Sequence, residues 1–260
     1  MIPIQIGDAT LYCGDALGVL PQLTDVDAIL TDPPYSSGGQ HMSDRQADTR
    51  TKYVTSRSGN KLLADFMGDN RDQRAFYFWS TLWVGAALRA AKPGSVLCVF
   101  SDWRQLPIST DYLQAGGWVW RGIVPWVKTQ ARPQLGRFTA QCEYVVWGSS
   151  GHLPLDRGVG VLPGFYEYAS PQQREHITQK PLGLMADLLA VAPPNSLVLD
   201  PFMGSGTTGV AAVQKGHRFI GIEWSPVIFD IACRRLEREQ QNLFDAPKAA
   251  EQPGLFGEGA

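Results

Sequence analysis

The stretch Ser196-Leu197-Val198-Leu199-Asp200-Pro201-Phe202-Met203-Gly204-Ser205-Gly206-Thr207-Thr208 passes from a run of apolar strand formers into a glycine-rich turn and then into a helix predicted over residues 206–215. A strand over 218–223 ending in Glu223 and a helix over 227–240 complete a βαβα unit, the nucleotide-holding half of a doubly wound α/β fold. Glycines at such a turn let backbone amides approach a ligand without steric penalty. A carboxylate at the end of the following strand can accept from two ribose hydroxyls, so turn and Glu223 together imply an adenosine-bearing cofactor. Gly204, Gly206 and Gly209 also satisfy Gly-x-Gly-x-x-Gly, so spacing alone leaves a dinucleotide site open, as it does a tight turn that binds nothing.

A second motif narrows the choice. Upstream, residues 10–13, 16–23 and 27–31 read as strand, helix and strand, and the last runs into Asp32-Pro33-Pro34-Tyr35. Two prolines forbid continuation as helix or strand, which leaves the tetrapeptide at the carboxyl edge of a sheet, where ligands bind in open α/β folds. An exocyclic amine on a base is a poor nucleophile because its lone pair is delocalised into the ring. Acceptors fixed opposite its N–H groups localise that pair, and the Asp32 carboxylate and Pro33 carbonyl suit the task. Pro33 and Pro34 hold the backbone rigid, the preorganisation from which catalytic electrostatics gains most, and the Tyr35 ring can stack on a base. The alternative is a proline turn with Asp32 capping locally and Tyr35 on the surface.

Between these motifs the chain alternates helix and strand. A helix is expected over 74–91 with an apolar face through Phe78, Leu82, Val84 and Leu88, stopped by Lys92-Pro93-Gly94 ahead of a strand over 95–100. A helix over 102–115, strands over 118–127 and 143–147, and a helix over 182–191 follow. Residues 148–176 read as loops with a small insertion. Residues 36–72 form a polar, glycine-rich segment longer than structureless connections usually are; Arg45, Arg50, Lys52, Arg57 and Lys61 make it a mobile basic loop. Arg121, Lys128, Arg132 and Arg137 lie in a stretch from 121 to 142 without acidic residues. Both groups are expected to contact nucleic acid phosphates, the first as a clamp and the second as a fixed stripe; the alternative is that they only keep loops solvated.

With 260 residues and 44% hydrophobic content the chain can bury a substantial core. The net charge of −2 gives the molecule as a whole no attraction to nucleic acid, which is why a local basic stripe is needed. Cys13, Cys98, Cys142 and Cys233 are far apart and have no His at ligand spacing, so they read as reduced, mostly buried thiols rather than a metal site. No stretch suits a bilayer and the start lacks a signal pattern, so a cytoplasmic location is expected.

These motifs resemble the amino-methyltransferases of DNA. With Asp32-Pro33-Pro34-Tyr35 first and the Gly204–Gly206 turn late, the order is that of the circularly permuted beta class. Cys13-Gly14-Asp15, His176-Ile177-Thr178-Gln179-Lys180-Pro181 and Gly221-Ile222-Glu223 are similar to further family segments. The resemblance implies a Rossmann-like fold with a mixed, mostly parallel sheet and helices on both faces, occupying residues 1–242 with a flexible tail over 243–260. It implies S-adenosylmethionine as cofactor, no metal, and duplex DNA as partner, with the target base flipped out of the helix. Asp15 would accept from the cofactor's adenine amine and Glu223 would hold the ribose. Asp200, Phe202, Gly204, Ser205, Gly206 and Thr207 would cradle the methionine end, and Lys180 with Thr178 would line the entrance.

Asp at the head of the tetrapeptide is the adenine N6 pattern, where Ser is more typical of cytosine N4 enzymes. A cytosine C5 enzyme would need a Pro-Cys nucleophile, and the chain has none. A catalytically silent DNA-binding regulator has no need of the intact tetrapeptide, nor has an NAD oxidoreductase. Target recognition is expected in 36–72 and 148–176, where the resemblance thins. A homodimer is the simplest reader of a palindromic site. The tail spells Gln-x-x-Leu-Phe at 240–244 and 252–256, similar to peptides that dock on the replication sliding clamp.

Overall fold

The structure, a computed structural model, describes residues 2–35, 71–131, 133, 135–171 and 179–245. The basic residues Arg45, Arg50, Lys52, Arg57 and Lys61, together with Arg132, Thr178 and the second Gln-x-x-Leu-Phe, lie outside these.

The strands, in chain order, are β1 (Ile4–Ile6), β2 (Ala9–Cys13), β3 (Val26–Thr31), β4 (Ala91–Ser101), β5 (Val119–Lys128), β6 (Cys142–Ser149), β7 (Tyr166–Tyr168), β8 (Leu197–Asp200) and β9 (Arg218–Glu223). They form one sheet in the order β1-β2-β9-β8-β3-β4-β6-β5-β7. Only β1 and β6 run against the other described strands. The helices are α1 (Ala16–Val19), α2 (Gln73–Ala90), α3 (Leu106–Ala115), α4 (Leu182–Leu188), α5 (Thr207–Gln214) and α6 (Pro226–Asp245).

Successive residues of a strand face opposite sides of the sheet, and here each side has its own core. Leu30, Cys98, Phe100, Val145, Val198 and Phe219 pack with α4, α5 and α6 on one face. Ile29, Leu97, Val99, Val146, Leu199 and Ile222 pack with α1, α2 and α3 on the other. Helices cover both faces, as expected, because the central strands are apolar on both. Among the described residues no helix is long and apolar enough to cross a membrane.

Several expectations change in detail. Helix α2 buries Phe76, Trp83, Val84, Ala87 and Ala90, whereas Phe78 and Leu82 of the expected face are 65% and 45% exposed. The segment carries bulky apolar residues all round its axis, so docking against Tyr112 and Phe202 selects the buried side rather than periodicity. Lys92-Pro93-Gly94 does not separate helix from strand but lies within β4, where the register against β3 slips from Val26↔Ala91 to Ala28↔Val96. A bulge of this kind tolerates both proline and glycine. Pro21 limits the first helix to four residues and passes the rest to a 3-10 turn over Leu20–Gln22. Strands β1 and β7, three residues each, were too short to show as a pattern; β7 lies in the segment read as loops. At the other end α6 stays helical through Asp245, past the expected end of the domain at 242, and carries the first Gln-x-x-Leu-Phe with Phe244 85% exposed.

The chain leaves β3 toward β4 on one side and leaves β8 toward β9 on the other, while β3 and β8 are neighbours. The crevice at their carboxyl ends is therefore a topological switch point, where an open α/β sheet cannot cover its own edge.

Candidate active site

A cavity of about 1050 Å³ opens over this switch point, walled by the carboxyl ends of β2, β3, β4, β5, β8 and β9 and the start of β6. Ligand pockets run from roughly 300 to 1,000 Å³, so this one lies at the upper end of that range. Both sequence motifs reach it, one on each side of the crevice.

On the β8–β9 side, Asp200 is buried to 2% exposure. Its carboxylate accepts from Thr31 Oγ1 at 2.6 Å, Thr208 Oγ1 at 2.5 Å and Phe202 N at 3.0 Å. It therefore fastens the glycine turn to β3 and α5. Arg235 of α6 clamps the turn from the opposite side, donating to the Ser205 carbonyl and hydroxyl and to Thr207 Oγ1 at 2.6–3.1 Å. Ser205 and Thr207 line the cavity with their hydroxyls already engaged. Phe202 packs its ring on Trp79 and Trp83.

Burial pushes the Asp200 carboxyl up to about 7 against its three donors. Its folded value lies above its unfolded one, so the stability it adds is complete below about pH 4 and is lost as pH rises through 7. Asp200→Asn should remove that component: denaturant titrations at pH 5 and pH 8 should show a smaller loss of stability between the two for the variant than for the parent.

The residues present fit an adenosine-bearing cofactor. Glu223 accepts from Ser225 N through one oxygen at 2.8 Å and from Gly204 N through the other at 3.1 Å, leaving on each oxygen a lone pair for a vicinal diol. Gly204 has φ +52°, and a Cβ there would meet nothing within 4 Å; at this left-handed position the bare backbone borders open space that a side chain would fill. Asp15 caps α1, accepting from Leu17 N at 3.2 Å, and also lines the cavity.

Across the crevice, Asp32, Pro33, Pro34 and Tyr35 follow β3 into the cavity wall. The Tyr35 hydroxyl donates to Asp32 Oδ1, and the Lys180 ammonium holds Asp32 Oδ2. Lys180, expected at the cofactor entrance, lines the cavity; its side chain is 8% exposed and lies between Asp32 and Glu143, whose Oε2 is 3.4 Å away. Glu143 in turn accepts from Lys128 at 2.5 Å. Burial raises the Asp32 carboxyl, and the Glu143 charge adds to this while Lys180 opposes it. Burial also lifts Tyr35 well above the ordinary phenol range, helped by the charge on Asp32, so the hydroxyl remains a donor. For Lys180, burial disfavours the charge but Asp32 and Glu143 outweigh it, and its value rises.

The expected phosphate stripe is dispersed. Lys128 sits at the cavity edge, turned onto Glu143 and lying 5.2 Å from the Trp126 ring centre. Arg121 lies toward the amino end of β5, at the opposite edge of the sheet, bonded to Ser149 Oγ and the Gly151 carbonyl. Arg137 is exposed on the β5–β6 connection. Strand direction separates residues that a count of basic positions groups together.

Glu143 and Arg235 were not picked out from the sequence. Glu143 is a lone carboxylate at the start of a strand, brought to the cavity only because β6 runs antiparallel between β4 and β5. Arg235 belongs to an amphipathic helix and has the appearance of surface charge.

A model of the N6/N4 methyltransferase family, described as DNA methylase, matches residues 26–156 and 162–234. The type II methyltransferase M.Cfr9I of Citrobacter freundii is 27% identical, over 93% of this chain and 92% of its own. The putative methylase YubD of Escherichia coli K12 is 30% identical over 76% of each chain. The crystal structure of the M1.HpyAVI–SAM complex aligns with a TM-score of 0.63 and 26% identity, covering 88% of this chain and 98% of the other. The cytosine-N4-specific PvuII DNA methyltransferase shares the fold at a TM-score of 0.65 and 14% identity, covering 92% and 93%.

Proposed function

Since the chain belongs to the N6/N4 family of DNA methylases, which take their methyl group from S-adenosylmethionine, we propose that its target is the N6 amine of adenine, flipped out of duplex DNA. The observation that carries this is the carboxylate of Asp32, held in the cavity wall beside Tyr35. A carboxylate offers only acceptors, as an amine that must present two N–H groups requires, and Asp at this position resembles the adenine enzymes. A cytosine-N4 enzyme has the same fold, so the choice between bases rests on this residue.

The division of labour follows from the geometry. Glu223, Asp15 and the Gly204 turn would hold the cofactor, which when bound supplies an electrophilic methyl group. Asp32 accepts from the target amine and can take its proton once nitrogen is alkylated. Pro33 and Pro34 keep that acceptor in place at no cost of reorganisation. An amine inside a duplex is out of reach, and the Tyr35 ring, oriented by its hydroxyl on Asp32, offers stacking to offset the few kcal/mol of lost pairing. Arg137 and the basic residues between 45 and 61 would supply phosphate contacts. Two-fold related copies would suit a palindromic site, and light scattering of the DNA complex counts them.

The test is direct. Unmethylated duplex DNA treated with the protein and cofactor, digested to nucleosides and weighed by mass spectrometry, should yield N6-methyldeoxyadenosine. N4-methyldeoxycytidine in its place would overturn the adenine assignment and leave the family standing.

A further inference from the structure

Strand β4 ends at Ser101, and the chain turns through Asp102, Trp103, Arg104 and Gln105 into α3. The Asp102 carboxylate folds back on this turn, accepting from Arg104 N at 3.0 Å, Gln105 N at 2.9 Å and Arg104 Nε at 3.1 Å. The backbone on both sides of Trp103 is thereby fixed, while its ring stays outside the core. It lines the cavity and is 59% exposed, so it stands on the rim. Trp118 and Trp126, by contrast, are buried, with their indoles donating to the Val84 and Tyr168 carbonyls.

Strand order decides which ligand the ring faces. The cofactor turn follows β8 and Glu223 ends β9, whereas β4 lies on the far side of β3 from both. Trp103 is therefore on the side of Asp32 and Tyr35. It stands four residues past Val99, as Tyr35 stands four past Thr31, the pair at which the β3–β4 ladder ends. A large aromatic ring left in water beside a cavity marks a contact surface. The Arg104 guanidinium lies 5.7 Å from the ring centre with its side chain 41% exposed. Ring and cation together suit a partner that carries flat bases and negative phosphates.

We propose that Trp103 is a base-stacking residue, whose indole packs on the base left unstacked beside the target when the target is drawn into the cavity. The inference rests on the base extrusion given above. Extrusion costs the stacking and pairing of the target base. An indole already fixed at the rim replaces part of that stacking without having to be ordered first. Arg104, tied to Asp102 yet exposed, lies beside the ring for a backbone phosphate.

The test uses a synthetic duplex containing the methylated site, found beforehand by base-modification sequencing, and the same duplex with an abasic residue opposite the target base. Single-turnover methyl transfer is compared for the parent, Trp103→Ala, Trp103→Phe and Trp120→Ala. On the paired duplex Trp103→Ala should slow transfer about 30-fold, the order of one base–aromatic stack, and Trp103→Phe, which keeps a π-face, should lose much less. On the abasic duplex, where no pair has to be broken, the loss for Trp103→Ala should shrink to within about threefold. Trp120, 42% exposed toward the amino end of β5, is the control, and its replacement should change either rate by less than about twofold. S-adenosylmethionine affinity by calorimetry and melting temperature should be retained in all variants. If Trp103→Ala does not fold, Trp103→Leu, apolar but without a π-face, takes its place with the same expected losses. Equal losses on the two duplexes would mean a ring that packs within the protein and would overturn the inference. So would a paired-duplex rate for the alanine variant close to the parent's, or a phenylalanine variant as slow as the alanine one. A parent that binds the abasic duplex no more tightly than the paired one would overturn base extrusion itself, and the role of Trp103 with it.

Discussion

Asp32→Ala should lower methyl incorporation into DNA by about 10³-fold or more, with cofactor affinity unchanged within about twofold. Removal of one preorganised hydrogen-bonding group from an active site costs about 10²–10³ in rate, and here the same group also takes up the proton. The fold should survive, because Lys180 keeps Glu143 as a counter-ion at 3.4 Å and the Tyr35 hydroxyl keeps Lys180 as a neighbour at 3.2 Å. Asp32→Asn preserves shape and one acceptor but loses the charge and the proton acceptor, so its rate should fall between the two. Radiolabelled methyl transfer, paired with calorimetric titration of the cofactor, separates chemistry from binding. Full activity in Asp32→Ala with intact cofactor affinity would remove the chemical basis of the proposed site.

Glu223→Ala should act on the other half of the cavity and in the opposite sense, weakening cofactor binding while sparing the chemistry of whatever complex still forms. Two hydrogen bonds from ribose hydroxyls to a carboxylate, at roughly 1.5 kcal/mol each, amount to about 3 kcal/mol, or about 10² in affinity. The Gly204 and Ser225 amides lose their acceptor too, but they border the cavity and water can replace it. Burial raises the Glu223 carboxyl above its ordinary value while the surrounding backbone amides oppose the rise. Affinity in the parent should therefore fall on the acid side as this group protonates, and Glu223→Ala should lose that dependence. Titration calorimetry at two pH values reads both effects; an affinity within threefold of the parent would show that Glu223 does not hold the ribose.

The two variants draw the line between what sequence and structure contribute. Asp32 and Glu223 were legible because each sits in a local pattern whose chemistry is set by its immediate neighbours: prolines that stop a strand, and a glycine turn followed one strand later by an acid. The same holds for the α/β alternation and for helices on both faces, since apolar runs of strand length cannot face water on either side. Asp200 was placed at the end of its strand, as observed, yet its bonds to Thr31, Thr208 and the Phe202 amide depend on β3 lying beside β8. These strands are more than 160 residues apart in the chain, as the Thr31–Asp200 bond shows.

From its residues alone this protein was legible as an α/β chain with a glycine turn after one strand and a proline-locked Asp-Pro-Pro-Tyr after another, because both motifs are short and their backbone geometry is dictated by neighbouring residues. Only the tertiary structure decided that Lys180 pairs with Asp32, that Glu143 stands behind it, and that Arg121 and Lys128 lie toward opposite ends of one strand. The reason is physical: a buried charge is defined by its partners, and these reach one another through strand order and direction, which no local pattern records.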